Sequence, residues 1–163
     1  MKRIVVYTSA TGFTAKYANW IAEELGCEAV ELKKVKKNEL ANYDTIIYGG
    51  WIMANMVNGY NKIAALNLPN VVVFGVGMSV PCEAVFNQIA EQNNIPKDKF
   101  FYFEGGYEPK KVKFLKKMMM NMIKKSIEKK EPKTEDDIHM LETFEGKDNT
   151  SKEAIRPLID SVV

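Results

Sequence analysis

The chain has 163 residues, of which 46% are apolar and 27% charged, and these proportions are typical of a globular protein with a sizeable core. We expect a single domain over residues 1–163, because that length suits one hydrophobic core. The net charge of +2 excludes a strongly basic nucleic-acid binder, and no apolar run is long enough to cross a membrane or to form a signal peptide. Cys27 and Cys82 are predicted to be reduced, buried thiols of a cytoplasmic protein.

The first predicted strand and helix enclose a turn of small and hydroxyl side chains. Residues Ile4 to Tyr7 form a short apolar run rich in β-branched side chains, which is typical of a buried strand. Apolar residues then recur at helical spacing from Ala15 to Leu25, and Gly26 follows as a C-terminal cap. A helix that begins directly after a strand presents unpaired backbone N–H groups to an anion. We therefore predict an anion site between these two elements.

The composition of this turn narrows the kind of anion. Thr8, Ser9, Thr11 and Thr14 offer hydroxyl donors, and Gly12 permits close approach of the backbone. The turn has no Lys or Arg, which excludes a Walker-type P-loop, and a single glycine does not make a dinucleotide fingerprint. We predict that neutral donors hold the terminal phosphate of a mononucleotide; the alternative is a hydroxyl-rich connector that only caps the helix.

The same stretch resembles the signature of the flavodoxin family. The matching positions are Val5, Val6, Tyr7, Ser9, Gly12, Thr14, Ala18 and Ile21. The resemblance implies FMN as the cofactor, and an α/β fold with a doubly wound five-stranded parallel sheet in the order 2-1-3-4-5.

Strands and helices are predicted to alternate over the first hundred residues, which is typical of a parallel sheet with helices on both faces. The further strands are predicted at Glu28–Leu32, Asp44–Tyr48, Val71–Phe74 and Phe100–Phe103, and the helices at Tyr60–Leu66 and after Pro81, the latter carrying Ala84, Val85, Ile89 and Ala90 inward. Gly49 and Gly50 are predicted to end the third strand. Ligands of such sheets bind at the carboxyl ends of the strands. The turns at those ends are Thr8–Thr14, Gly50–Tyr60 and Gly75–Ser79.

The flavodoxin resemblance assigns the cofactor to these three turns. The implied FMN-binding residues are Ser9, Ala10, Thr11, Gly12, Phe13, Thr14, Gly50, Trp51, Ile52, Val76, Gly77 and Met78. Trp51 is interpreted either as a ring that stacks on the flavin or as an ordinary loop aromatic. Tyr107 either approaches the flavin or only packs. No catalytic side chain and no metal site are expected, because the flavin itself performs the electron transfer.

A basic, methionine-rich segment follows the last predicted strand. Residues Lys110 to Lys133 include ten Lys against Glu128 and Glu131. Apolar residues recur at helical spacing from Val112 to Ile127, which predicts an amphipathic helix. One interpretation is a helix that covers the sheet with its apolar face and exposes its lysines to solvent. The other is a surface that contacts an anionic membrane or an acidic partner.

This region carries a second, narrower resemblance. Residues Phe101–Tyr107 followed by Phe114–Lys125 resemble the flavodoxin subfamily that contains quinone-dependent protoporphyrinogen IX dehydrogenase. That resemblance implies an FMN-dependent oxidoreductase that passes electrons to a quinone or a similar acceptor. The alternatives are an electron-transfer flavodoxin that shuttles electrons between proteins and, on the same fold, a flavin-free binding module.

Residues Pro132 to Asn149 are predicted to be polar and acidic, with one short helix, and a last amphipathic helix is predicted to follow them. Thr134 is a candidate cap for the first, which contains Asp136, Asp137 and His139; these residues form either a solvated helix turn or a metal site, and we favour the former. Residues 150–153 match a capping box for the second. Pro157 is expected to kink that helix or delay its start.

Overall fold

A computed structural model describes residues 1–163. The strands are β1 (Arg3–Thr8), β2 (Glu28–Glu31), β3 (Thr45–Met53), β4 (Met56–Val57), β5 (Val71–Gly77) and β6 (Phe100–Glu104). The helices are α1 (Phe13–Leu25), α2 (Tyr60–Ala64), α3 (Glu83–Gln92), α4 (Phe114–Glu128), α5 (Glu135–Thr143) and α6 (Arg156–Val162). Short 3₁₀ helices lie at Leu32–Lys34, Lys37–Asn42, Lys97–Lys99 and Glu153–Ile155.

Five strands form one parallel sheet in the order β2-β1-β3-β5-β6, and the two-residue β4 pairs antiparallel with the end of β3. Numbered along the chain without β4, this is the predicted order 2-1-3-4-5, which is confirmed. None of the helices combines the length and the apolar character needed to cross a bilayer.

Both faces of the sheet are buried, as the β-branched strands predict. On one face Ile4 and Val6 pack with Ile46 and Tyr48, beneath α2 and α3. On the other face Val5 packs beneath α1 and α6. Because these five strands are parallel, all their carboxyl ends lie at one edge of the sheet.

The third strand is longer than the sequence prediction. Gly49 and Gly50 do not end it but lie in its middle. Position 49 needs glycine because a Cβ there would overlap the Phe74 ring of the neighbouring strand. Glycine in a strand therefore marks close packing here rather than a turn. The chain reverses only at Ala54 and Asn55, which have φ values of 48° and 61°, and returns as β4.

The basic helix α4 does not cover the sheet, so that interpretation is wrong. None of its residues is buried, and the sheet face that needed a helix after β6 is covered by α6 instead. The thiols also differ from the prediction, since Cys82 is exposed and Cys27 only partly buried, although both are free. Ala84 is exposed and does not face the core.

Some helix ends are set by the capping residues that the sequence predicts. Gly26 ends α1 with φ 61° and donates its N–H to the Ala22 and Glu23 carbonyls, as predicted. Thr134 starts α5 with a complete capping box. The capping box predicted at residues 150–153 is absent, because the Ser151 hydroxyl bonds Glu153 across the turn at 2.6 Å. Pro157 delays the last helix, and a 3₁₀ turn precedes it.

Asn93 fastens the β3–β4 hairpin to the end of α3. It is 8% exposed, and its side-chain oxygen accepts the Val57 N–H at 2.9 Å. Its amide donates to the Asn55 and Ile89 carbonyls at 2.7 and 2.8 Å. All three bonds lie in or near the buried interior, so they fix the position of the hairpin at the edge of the sheet.

We predict that Asn93→Ala lowers the free energy of unfolding by roughly 2–4 kcal/mol, because it removes three hydrogen bonds and leaves the Val57 N–H unpaired. Urea denaturation followed by circular dichroism measures this. Gln88→Ala, on the exposed side of the same helix, is the control and should change stability by less than about 0.5 kcal/mol. Equal stability of the two variants would contradict this account of the hairpin.

Candidate functional site

The turn between β1 and α1 is shaped by its own side chains. The Ser9 hydroxyl oxygen accepts the Gly12 N–H at 3.1 Å, and Gly12 adopts φ 107°, which favours glycine. Thr14 is 1% exposed, and its small exposed part borders the cleft at the carboxyl edge of the sheet. The turn is thus held in shape before any ligand binds, and Thr14 borders the space that a ligand would occupy.

Thr8 does not share this role. Its hydroxyl lies 3.1 Å from the Tyr48 hydroxyl and donates to the Asn58 carbonyl at 2.8 Å. Thr8 therefore anchors the chain after β4, and the prediction that it offers a donor to the anion is wrong. Burial raises the pKa of Tyr48 to about 12, so that the phenol stays a neutral donor to the same carbonyl at 2.7 Å.

The start of α1 leaves backbone donors free. No side chain caps this helix, and its first turn has no acidic residue, so the N–H groups of residues 13–15 have no partner within the helix. Lys16, in the first turn of α1, bonds Asp148 at 2.8 Å and Thr150 at 2.7 Å. Its charge is therefore compensated, and the donors that face the turn are neutral.

The turn forms one wall of a cleft at the carboxyl edge of the sheet. The cleft contains about 640 Å³ of atom-free space, part of it open to solvent. It is lined by Ser9, Ala10, Thr11, Phe13, Thr14, Trp51, Ile52, Met53, Val76, Gly77, Met78, Gly105, Gly106, Tyr107, Val112, Lys116 and Met120. The structure thus brings together every predicted cofactor-binding residue except Gly12 and Gly50. Gly12 lies on the outer side of the turn, and Gly50 packs within the hairpin, where a Cβ would lie 2.6 Å from the Asn58 carbonyl oxygen.

Sequence reasoning missed the wall that follows β6. Gly105 and Gly106 line the cleft at the end of the last strand, next to Tyr107. The rule that ligands lie at strand carboxyl ends could have found them, since they follow a predicted strand directly. Tyr107 fits both of its interpretations, because it lines the cleft and also packs edge-on against Phe144, with ring centroids 5.3 Å apart.

Residues 108–146 form an insertion that leaves and rejoins the fold at this wall. Tyr107 donates its N–H to the Lys147 carbonyl, and Asn149 donates to the Gly105 carbonyl, both at 3.0 Å. Gly106 pairs with Asp148 in an isolated bridge. Burial pushes the pKa of Asp148 up, but the bonds from Lys16 and Thr150 outweigh it and hold that pKa below its usual value. The charged Asp148 thus ties the returning chain to α1.

Helix α4 of this insertion closes one side of the cleft. Lys116 and Met120 lie four residues apart on one face of α4 and line the cavity, together with Val112 from the bend that precedes the helix. The Lys116 ammonium lies over the Trp51 ring, 4.0 Å from its centroid, in a cation–π contact. Lys116 is the one charged residue in the lining. Its spacing was visible in the sequence, but nothing there indicated which face would meet the cleft.

Helix α5 supports the turn that follows β5. Asp136 accepts the Val80 N–H at 2.8 Å, and His139 contacts the Glu104 carboxylate through its Nε2. His139 is therefore half-buried in a pair rather than solvated, and no group of residues in the chain could hold a metal ion. The Lys130 ammonium and the Thr134 N–H hold the pKa of Asp137 at about 2. The Asp137 carboxylate, which is part of the capping box of α5, therefore stays charged at neutral pH.

Comparison with known proteins identifies the family. The sequence model of the flavodoxin domain matches residues 4–135. No curated relative matches the chain. Among solved structures, flavodoxin 2 from Bacillus cereus is similar at 23% identity and a TM-score of 0.44, covering 64% of this chain and 84% of its own. A flavodoxin from the domain Archaea is similar at 16% identity and a TM-score of 0.48, covering 89% and 97%. A Fusobacterium nucleatum flavodoxin variant bound to flavin mononucleotide is similar at 22% identity and a TM-score of 0.39, covering 48% and 52%.

We predict that Asp136→Ala speeds hydrogen exchange at the Val80 amide by about 10- to 100-fold, because a hydrogen bond to a charged acceptor is worth roughly 1.5–3 kcal/mol. NMR-detected exchange at single-residue resolution measures it. Glu135→Ala, one residue earlier and exposed, is the control and should leave the rate unchanged. An unaltered Val80 rate in the Asp136 variant would show that α5 does not hold this turn.

Proposed function

Since the chain belongs to the flavodoxin domain family, whose cofactor is FMN, we propose that it is an oxidoreductase that takes electrons from an organic substrate and passes them through FMN to a quinone or a similar acceptor. Bound FMN supplies the electron-transfer chemistry, and the protein supplies binding, orientation and electrostatics. The observation that carries the proposal is the single cleft that the phosphate turn, Trp51 and the inserted helix form together.

The residues of the turn fit a phosphate. The free N–H groups at the start of α1 and the Thr14 hydroxyl at the cleft supply neutral donors, and the helix dipole favours a negative charge there. The neighbouring lysine is already paired with Asp148. We therefore assign the phosphate of FMN to residues 9–14.

The remainder of the cleft fits a planar aromatic ring. Trp51 and Ile52 approach from the end of β3, and Val76, Gly77 and Met78 approach from the end of β5. A ring placed between them would exchange water for aromatic and apolar side chains. The missing side chain of Gly77 makes room for Tyr102, since a Cβ there would lie 2.6 Å from the Tyr102 hydroxyl. Lys116 would add one positive charge beside the ring.

The inserted helix favours an enzyme over a simple carrier. Val112 and Met120 extend the apolar wall, and Lys116 gives it a cation. Such a wall suits an apolar substrate with acidic groups, as a porphyrinogen is. This supports a function of the protoporphyrinogen dehydrogenase type, in line with the subfamily resemblance of residues 101–125.

The second candidate is an electron-transfer flavodoxin that docks on protein partners. The charge distribution favours it, because outside residues 110–133 the chain has 13 basic and 19 acidic residues, and an acidic surface can steer docking. Purified protein loaded with FMN distinguishes the two. The enzyme oxidises protoporphyrinogen only when a quinone is added, whereas the carrier is reduced by ferredoxin-type partners and leaves protoporphyrinogen unchanged. A protein that stays colourless when mixed with FMN would contradict both.

We predict that Thr14→Val weakens FMN binding by roughly 1–3 kcal/mol, because a buried hydroxyl loses its hydrogen bond to the phosphate. Quenching of flavin fluorescence during titration measures the affinity. Thr45→Val, at the opposite end of the sheet, is the matched control and should bind FMN as tightly as the unaltered protein. Unchanged affinity in the Thr14 variant would remove this hydroxyl from the site.

We also predict that Lys116→Met lowers the midpoint potential of the bound flavin by on the order of tens of millivolts, because the ammonium would stabilise the added negative charge. Spectroelectrochemical titration measures this. Lys117→Met removes the same charge from an exposed position outside the cleft and serves as the control. A potential that falls equally in both variants would mean that only net charge matters.

A further inference from the structure

Helix α4 has two faces of different character. Its inner face lines the cleft through Lys116 and Met120. Its outer face is also apolar, and the rest of the chain covers it only in part. The exposed large apolar side chains of α4 are Phe114, Leu115, Met118, Met119, Met122 and Ile123, which are between 37% and 78% exposed.

These side chains form a continuous stripe. Phe114, Met118 and Met122 follow one another at a spacing of four residues, and Leu115, Met119 and Ile123 form a parallel row beside them. At 1.5 Å per residue each row is about 12 Å long. Apolar patches of this kind on a globular protein mark interaction sites. We call this set of six residues the outer stripe.

Uncompensated lysines surround the outer stripe. Three lysines of the segment have acidic partners, namely Lys124 with Glu145, Lys130 with Asp137 and Lys133 with Glu131. Lys116 lies in the cleft. Of the lysines that form no ion pair, Lys117 and Lys125 lie on α4, and Lys113 and Lys129 lie at its two ends. The helix that contains the stripe is therefore both apolar and positively charged.

We propose that this surface docks on an anionic lipid membrane. A lipid interface offers hydrocarbon to the outer stripe and negative headgroups to the flanking lysines, and an amphipathic helix lying in the plane of the interface uses both at once. An acidic protein would compensate the lysines, but it would also need an apolar groove for six long side chains. The combination of exposed apolar side chains, flexible methionines and unpaired lysines matches the lipid surface.

Docking in this way would place the cleft beside the lipid. The inner and outer faces belong to the same helix, so a membrane under the outer stripe lies within a helix diameter, about 10 Å, of the cleft wall. A lipid-dissolved quinone could then reach the cleft without crossing water. This consequence rests on the proposed function, whereas membrane binding itself does not.

Sedimentation of the full-length, FMN-loaded protein with vesicles tests the proposal. We expect binding to phosphatidylcholine vesicles that contain phosphatidylglycerol, little binding to phosphatidylcholine alone, and weakening at high salt. The double variant Leu115→Ser, Met122→Ser should lose on the order of tenfold in affinity. Ile138→Ser removes an exposed apolar side chain from α5, outside the stripe, and is the matched control.

A second pair of variants tests the charges. Lys117→Gln with Lys125→Gln should weaken binding to the anionic vesicles, whereas Lys34→Gln with Lys62→Gln, on exposed positions far from α4, should not. Circular dichroism and the flavin absorption spectrum verify that each variant is folded and loaded, so a failure of docking is separable from a failure of FMN binding. The proposal would be overturned if the stripe variant and its control bound anionic vesicles equally, or if the protein bound neutral and anionic vesicles equally. Binding to an acidic protein but not to vesicles would also overturn it.

Discussion

The structure depends on one short turn that leaves the first N–H groups of a helix without hydrogen-bond partners. Helix α1 begins directly after β1 with no side-chain cap and no acidic residue, so its first N–H groups have no partner. Ser9 and Gly12 hold the turn in a shape that keeps these groups directed outward. A negative ligand completes the hydrogen bonding that the fold leaves unmade. Because Lys16 is already paired with Asp148, the proposed phosphate site selects an anion by hydrogen-bond geometry rather than by cationic side chains.

A second constraint is the insertion at residues 108–146, which closes one side of the cleft. The chain leaves the sheet after Gly106 and returns at Lys147 to Asn149, and backbone bonds between the two ends fix the base of the insertion. Helix α5 is then attached to the core through Asp136 and His139. Helix α4, by contrast, has no buried residue. It is positioned by the ends of the insertion, by packing on α5, by the Lys124–Glu145 ion pair and by Lys116 on Trp51, and its outer face stays partly exposed for the proposed membrane contact.

Much of this architecture was readable from the sequence because it follows local rules. The β1–turn–α1 unit has a strand composition, an uncharged turn and a glycine cap, and each acts within a few residues. The prediction failed where distant residues decide the structure. Gly49 and Gly50 were interpreted as a strand end, but both lie inside β3, where Gly49 packs against Phe74 of the next strand and Gly50 against the returning hairpin at Asn58. The amphipathic pattern of α4 predicted a helix correctly but not its neighbours, since an apolar face looks the same whether it covers a sheet, lines a cleft or meets lipid. Thr8 was counted as a donor to the anion because its partners, Tyr48 and Asn58, are distant in sequence.

The central claim is that neutral donors at residues 9–14 hold the phosphate and thereby fix the flavin in the cleft. Parallel titrations of the cofactor-free protein with FMN and with riboflavin, which lacks the phosphate, test it most directly. The account predicts that FMN binds at least about 100-fold more tightly, since two or more charge-assisted hydrogen bonds are lost with the phosphate. Equal affinity for the two flavins would contradict it.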